Sequence, residues 1–390
     1  MSQFSQIYAG EPSPQQPQQP QRSPNEKTHF NEQEQPSHAA VELGNPASFK
    51  PKYLVLDDIN IDLITVFATV STFISIFVLG TPGLLTAAAA AAIIFPLRTF
   101  FPRPTTPQGT VLITGASSGI GAELSYIFAE HGHDLVLVGR NKEQLENVKN
   151  NVESKYRKTA RTIALDLSVP GKPKQLYDRV KGEGLTVEVL VNNAGLGAAG
   201  ETLEQPIELA ERMTTLNCIA LVQLTLLFGN DMLKRGRGWL LHVSSVASSP
   251  GWMASPGQNI YHATKHYVRE FSESLSIELR GYPGIVNTQL MPGPTQTPFI
   301  TRSHAEETFM MAASGAVEDP KSVALAGYWG LCKGKRMVFS SWNAAFTATM
   351  MHLMPRSVHL TLASVMNLPL RGAMRATEPE KDQKARGQDL

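Results

Sequence analysis

The sequence predicts an α/β fold built on a doubly wound parallel sheet. From Gly109 onward, short apolar runs alternate with longer helical patterns, as expected for strands joined by crossover helices. A glycine-rich turn, Thr114-Gly115-Ala116-Ser117-Ser118-Gly119-Ile120-Gly121, follows the first run directly. The other chemistry-bearing segments fall where strands end, which is where open α/β sheets bind ligands. They are Asn192-Asn193-Ala194-Gly195, Val243-Ser244-Ser245 and Tyr261-His262-Ala263-Thr264-Lys265.

The elements are read in chain order. Thr110–Ile113 is a first strand, and Glu123–His131 reads as the helix after the glycine turn. Asp134–Val138 is a second strand, followed by a polar helix from Lys142 to about Tyr156. Thr162–Leu165 is a third strand ending at Asp166; Val187–Val191 and Trp239–Val243 are the fourth and fifth. Tyr261 to Arg280 is a long helix, with Val268, Phe271, Leu275 and Leu279 at helical spacing. Ile285–Leu290 is a sixth strand.

The domain organisation follows from composition. Residues 1–50 are rich in Gln, Pro, Ser and Asn, bury too little apolar surface to offset chain entropy, and read as a disordered tail. Residues 51–103 form a membrane-anchoring segment. No charge occurs from Leu63 to Leu97; the 18 residues from Leu63 to Gly80 would span about 27 Å as a helix. Thr81-Pro82-Gly83 breaks the run, and Leu84 to Leu97 is only 14 residues. The segment is a single span or a hairpin. Either way Arg98 and Arg103 place the following domain on the cytosolic side, and the membrane expected is the endoplasmic reticulum. A buried soluble helical hairpin is the alternative. Residues 104–310 form the nucleotide-binding domain, 311–370 an apolar substrate or lid region, and 371–390 a polar tail.

Composition excludes other classes. The net charge of +1 gives no electrostatic basis for nucleic acid binding. Cys218 and Cys332 are the only cysteines, too few for a secreted disulfide framework. No metal site is expected.

The glycines at 115, 119 and 121 suit a turn of positive φ that approaches a pyrophosphate, with the following helix N-terminus aimed at it. This is the Rossmann-type arrangement. Gly139-Arg140-Asn141 ends the second strand. An acidic residue there would accept from a ribose 2′-hydroxyl, whereas Arg140 pairs with a 2′-phosphate and favours NADP(H) over NAD(H). Asp166 suits the adenine amino group or a helix cap.

Tyr261 and Lys265 stand four apart and share a helix face. An ammonium nearby favours the phenolate and lowers a tyrosine pKa from its ordinary value near 10. Such a tyrosine can protonate an alkoxide or deprotonate an alcohol, with a serine from the adjacent strand end polarising the substrate oxygen.

With these motifs in this order, residues 108–300 resemble the short-chain dehydrogenase/reductase superfamily. The resemblance rests on Thr114-Gly-x-x-x-Gly-x-Gly121, Asn192-Asn-Ala-Gly195, Ser244-Ser245, Tyr261-x-x-x-Lys265 and Pro292-Gly293. It implies Tyr261 as acid/base, Lys265 as its tuner and ribose ligand, Ser245 orienting substrate, and Asn217 holding a relay water. It also implies cofactor contacts at Ser117, Ser118, Ile120, Asp166, Asn193, Ala194, Gly195, Thr295 and Thr297. One departure stands out: the family's usual serine spacing falls on Ser248, 13 before Tyr261, while Ser245 lies 16 before. Ser245 is preferred because it ends the strand, with the following loop lengthened. His242, His262 and His266 are read as structural or solvated.

The expected activity is a membrane-anchored NADP(H)-dependent interconversion of a ketone and a secondary alcohol on a hydrophobic lipid-, steroid- or polyketide-like substrate. Alternatives on the same fold are an isomerase or epimerase with retained cofactor, and a non-catalytic cofactor-sensing scaffold. The C-terminal stretch from Ser340 to Leu370 is Met- and Leu-rich. It reads as membrane-apposed or substrate-facing helices, or else as a homodimer interface or ordinary core.

Overall fold

The computed structural model describes residues 109–249, 256–303 and 317–353, with isolated positions at 107 and between 355 and 362. The polar tails, the uncharged 63–97 segment, the centre of the lengthened loop and residues 304–316 lie outside the described residues.

Seven strands form one sheet in the order β3-β2-β1-β4-β5-β6-β7. They are β1 (Thr110–Thr114), β2 (Leu135–Gly139), β3 (Ala160–Ala164), β4 (Val187–Asn192), β5 (Gly238–Val243), β6 (Ile285–Met291) and β7 (Met337–Phe339). Every pairing is parallel, confirming the Rossmann-type α/β class. The centres of β1 and β2, and β4 from Val189 to Val191, are unbroken Val/Leu/Ile runs because both faces of such a sheet are covered.

The helices are α1 (Gly119–Glu130), α2 (Lys142–Tyr156), α3 (Lys172–Gly182), α4 (Ile207–Thr214), α5 (Leu221–Arg235), α6 (Asn259–Glu278), α7 (Pro298–Ser303), α8 (Pro320–Cys332) and α9 (Trp342–Leu353). On one face Leu124 and Phe128 of α1, Leu145 and Val152 of α2, and Tyr328 of α8 join Val111, Leu137 and Val191 in one core. On the other, Leu176 of α3 and Leu224, Phe228 and Met232 of α5 cover Leu112, Val136 and Leu190. Successive strand residues feed opposite cores, as the pleat requires.

Several boundaries differ from the sequence reading. α1 starts at Gly119 rather than Glu123, so the glycines belong to its first turn. β3 starts at Ala160, two residues earlier than expected, where it pairs with Leu135. Helices α3 to α5 and strand β7 had no sequence assignment. β7 has only three residues, too few for an alternating pattern to declare itself.

Among the described residues, one helical stretch, Ile207–Arg235, has the length and apolar composition to cross a membrane. It lies against the sheet through Leu224, Phe228 and Met232. Its Asp231 pairs with Lys181 of α3 at 2.9 Å. These contacts make it a core helix.

Candidate active site

The carboxyl ends of β1 and β4, where the strand order reverses, open into a cleft of about 1730 Å³. Its nucleotide wall is built from backbone. Gly115 has φ 67°, and a Cβ there would lie 2.9 Å from Ala194 Cα. At Gly121 a Cβ would lie 2.2 Å from the Gly115 carbonyl oxygen. Gly121 itself does not line the cleft; its missing side chain lets α1 close on the turn. Asn193 braces the same turn, its Nδ2 donating to the carbonyls of Thr114 at 2.9 Å and Gly115 at 3.2 Å. The backbone N–H groups of Asn193 and Ala194 donate to Thr114 Oγ1.

Ser117, Ser118, Gly119 and Ile120 face the cleft. Ser118 is the N-cap of α1 but makes no side-chain cap bond, and the first turn holds no acidic residue. The amides there stay available to an anion, so these residues fit a dinucleotide phosphate.

Arg140, just past β2, and Asp166, just past β3, meet at 3.9 Å. Arg212 of α4, which the sequence reading missed, reaches the same carboxylate at 3.4 Å. Asp166 also accepts from the Ser168 backbone N–H at 2.9 Å and from its hydroxyl. Burial would raise the Asp166 carboxyl, but the two Ser168 bonds, with Arg140 and Arg212, outweigh it and hold its pKa below the ordinary value. Asp166 closes a local turn and anchors two guanidinium groups; α3 is capped instead by Gly171.

Ser245, Tyr261 and Lys265 face the cleft together. Ser245 lies two residues past β5 and caps a short 3₁₀ turn, accepting from Ala247 N–H at 3.1 Å. Its hydroxyl shares the cleft with the Tyr261 phenol. Ser248 points elsewhere: it is fully buried, bonded to Ser244 Oγ at 2.8 Å and donating to the Ser245 carbonyl at 2.7 Å. Lys265 Nζ donates to the Val243 carbonyl at 3.0 Å and stands 5.8 Å from the centre of the Tyr261 ring.

The lowering of the tyrosine pKa expected from Lys265 meets an opposing effect. Burial pushes the Tyr261 phenol up to about 12, and the nearby Ser245 hydroxyl only partly opposes it. Burial likewise brings Lys265 down to about 8. Lys265 is not among the groups that set the Tyr261 pKa; its ammonium is bonded to the Val243 carbonyl.

Asn217 sits in a π-helical turn, Thr215–Ala220, between α4 and α5. Its side chain accepts from Leu196 N–H and donates to the Leu196 carbonyl, both at 2.8 Å, and donates to Thr264 Oγ1 at 2.9 Å. That side chain clamps the loop after Gly195 and does not line the cleft. Thr295 and Thr297 do line it; Thr297 packs on Gly119, where a Cβ would lie 2.9 Å away. His242 is fully buried and His262 nearly so. Burial brings them down to about 4 and about 3 respectively, so both are neutral near pH 7.

Phe299 of α7 was not singled out from sequence as a site residue. Its ring lies 5.6 Å from that of Tyr261 and presses on Gly197, where a Cβ would approach it to 2.5 Å. Asn343, Ala344 and Phe346 of α9 complete the wall, while Trp342 is 81% exposed beside them. The expectation of a substrate-facing C-terminal helix thus has three residues at the cleft.

Residues 109–308 match the protein family described as short chain dehydrogenase. The chain is 32% identical over 200 residues to human dehydrogenase/reductase SDR family member 7, covering 50% of this chain and 58% of the relative. That match is less than two thirds of the relative's own length. It is 30% identical over 248 residues to a very-long-chain 3-oxoacyl-CoA reductase of Phaeosphaeria nodorum, covering 62% of this chain and 68% of the relative. Among solved structures it is similar to a short-chain dehydrogenase from Sphingobium yanoikuyae in complex with NADPH. The identity is 28%, the TM-score 0.54, and the coverage 64% of this chain and 98% of that one.

Proposed function

Because the chain belongs to the short-chain dehydrogenase/reductase superfamily, we propose that it is an NADP(H)-dependent oxidoreductase interconverting a ketone and a secondary alcohol on a hydrophobic substrate. The observation that carries this reading is the convergence of Ser245, Tyr261 and Lys265 on one cleft beside an uncapped helix N-terminus. When bound there, the dinucleotide supplies or takes up the hydride. Ser245 holds the substrate oxygen through its hydroxyl. Tyr261, a neutral phenol at neutral pH whose burial favours that form further, gives its proton to that oxygen in the reducing direction. Lys265, fixed by the Val243 carbonyl, restrains the nicotinamide ribose and stabilises the phenolate that remains. Asn217 positions this group by clamping Leu196 and Thr264.

Arg140 supports NADP(H), since a guanidinium lining the cleft just past β2 suits a 2′-phosphate and no acidic residue ends β2. Phe299, Ala344 and Phe346 give the substrate wall an apolar character. A 3-oxoacyl chain, a steroid or a polyketide-like ketone would suit it, and the similarity to a very-long-chain 3-oxoacyl-CoA reductase supports the first. The uncharged Leu63–Leu97 segment would tether the domain to a membrane with the cleft in the cytosol. The experiment is NADPH consumption by the purified full chain against a panel of lipophilic ketones, 3-oxoacyl thioesters included. Turnover on any of them is expected. Tight NADPH binding without turnover across the panel would sink the reductase and favour an isomerase or a sensor.

A further inference from the structure

Helix α7 touches both ends of the cleft. Phe299 packs on the Tyr261 ring. Three residues on, Arg302 donates from Nη2 to Ser118 Oγ at 3.3 Å, and from Nε to the Pro298 carbonyl at 3.0 Å. Ser118 stands at the uncapped start of α1, so the substrate-side helix reaches onto the glycine turn.

The charge at this point is unbalanced. Arg140 and Arg212 share the carboxylate of Asp166. Among the described residues no carboxylate pairs with Arg302. The residue is exposed overall, yet its guanidinium lies amid the cleft walls. Burial, and then repulsion from Arg140, lower its pKa. A guanidinium carries five N–H donors. One faces Ser118 and one Pro298, leaving three without a protein acceptor among the described residues. A cation held beside a second cation, next to free helix amides and with donors to spare, is an arrangement that an anion completes.

We propose that Arg302 is a phosphate clamp, its guanidinium binding a phosphate of the dinucleotide from α7. The proposal rests on the reading of the cleft as an NADP(H) site. It gives α7 two duties: Arg302 contacts the cofactor and Phe299 contacts Tyr261, so cofactor phosphate and acid/base are tied to one six-residue helix. The phosphate is either the 2′-phosphate near Arg140 or the pyrophosphate at α1.

The test is equilibrium titration of the full chain in detergent with NADPH and with NADH, followed by calorimetry and without turnover. The variants are Arg302→Ala, Arg302→Lys and Arg140→Ala. Arg302→Ala should weaken NADPH binding by about tenfold or more, as expected for a lost charge-assisted hydrogen bond. It should leave the melting temperature unchanged, and Arg302→Lys should recover part of the affinity. If NADH binding is unaffected, the clamp holds the 2′-phosphate; if NADH loses equally, it holds the pyrophosphate. Unchanged NADPH binding in Arg302→Ala, with a loss in Arg140→Ala, would overturn the clamp and leave the NADP(H) reading standing. No preference for NADPH in the wild-type chain would instead remove that reading. The NADH titration of Arg302→Ala would then decide the clamp alone, a loss supporting it and no loss overturning it.

Discussion

At the ends of β1 and β4 the cleft wall is a glycine turn whose backbone is braced by Asn193 and Thr114; beyond β6 it is side chains carried on short helices. In the first region Gly115, Gly121 and Asn193 leave no room for adjustment. In the second, Phe299, Ala344 and Phe346 contribute shape, which other apolar residues can also supply. The contrast separates two demands on the molecule. A phosphate requires donors at fixed positions, whereas a hydrophobic substrate requires only a dry surface of suitable form.

The largest effect should come from the rigid region. Gly121→Val places a Cβ within 2.2 Å of the Gly115 carbonyl oxygen, so the turn cannot close. NADPH binding should be lost, or the chain should fail to fold, as read by titration and circular dichroism. Normal binding in this variant would show that the turn is softer than its contacts imply.

Arg140→Ala sharpens the comparison by separating charge from backbone. NADPH affinity should fall about ten- to a hundredfold and NADH affinity should not change, since only the former carries the 2′-phosphate. Equal losses would move Arg140 away from that phosphate.

On the soft side, Phe299→Ala should raise KM for a bulky ketone several-fold, with a smaller change in NADPH affinity. The ring packs on Tyr261 without a hydrogen bond to it. A collapse of kcat at unchanged KM would instead mean that Phe299 sets the tyrosine's position.

The smallest effect concerns stability. His242 and His262 have folded pKa values near 4 and 3, below the unfolded value of 6.5. The unfolded chain therefore binds more protons between those values, so stability is full above pH 6.5 and falls as pH drops toward 4. His242→Gln should flatten part of that slope in denaturant titrations at pH 7 and pH 5. An unchanged slope would mean that His242 does not contribute.

The same contrast explains what was legible in the sequence. Strand runs such as Leu135–Gly139 could be read because full burial imposes unbroken apolar residues. The glycine turn, Tyr261 and Lys265 could be read because fixed chemistry imposes fixed spacing. Ser245 could be preferred over Ser248 from its place at a strand end, although spacing alone pointed to Ser248. Arg212, Arg302 and Phe299 could not be read. Each reaches the cleft from an element whose position depends on tertiary packing, and no local pattern marks an arginine that will face a distant carboxylate or serine. The burial around Tyr261 was illegible for the same reason: sequence gives the lysine four residues away but not the desolvation that raises the phenol.

The proposed function requires that Tyr261 perform the proton chemistry in a cleft that binds cofactor independently of it. In Tyr261→Phe, with NADPH affinity and turnover measured on the same preparation, NADPH binding should stay within about twofold of wild type and turnover should fall by about a thousandfold or more, within reach of the loss of a general acid and its hydrogen bond to substrate. Turnover preserved in the phenylalanine variant would contradict that requirement.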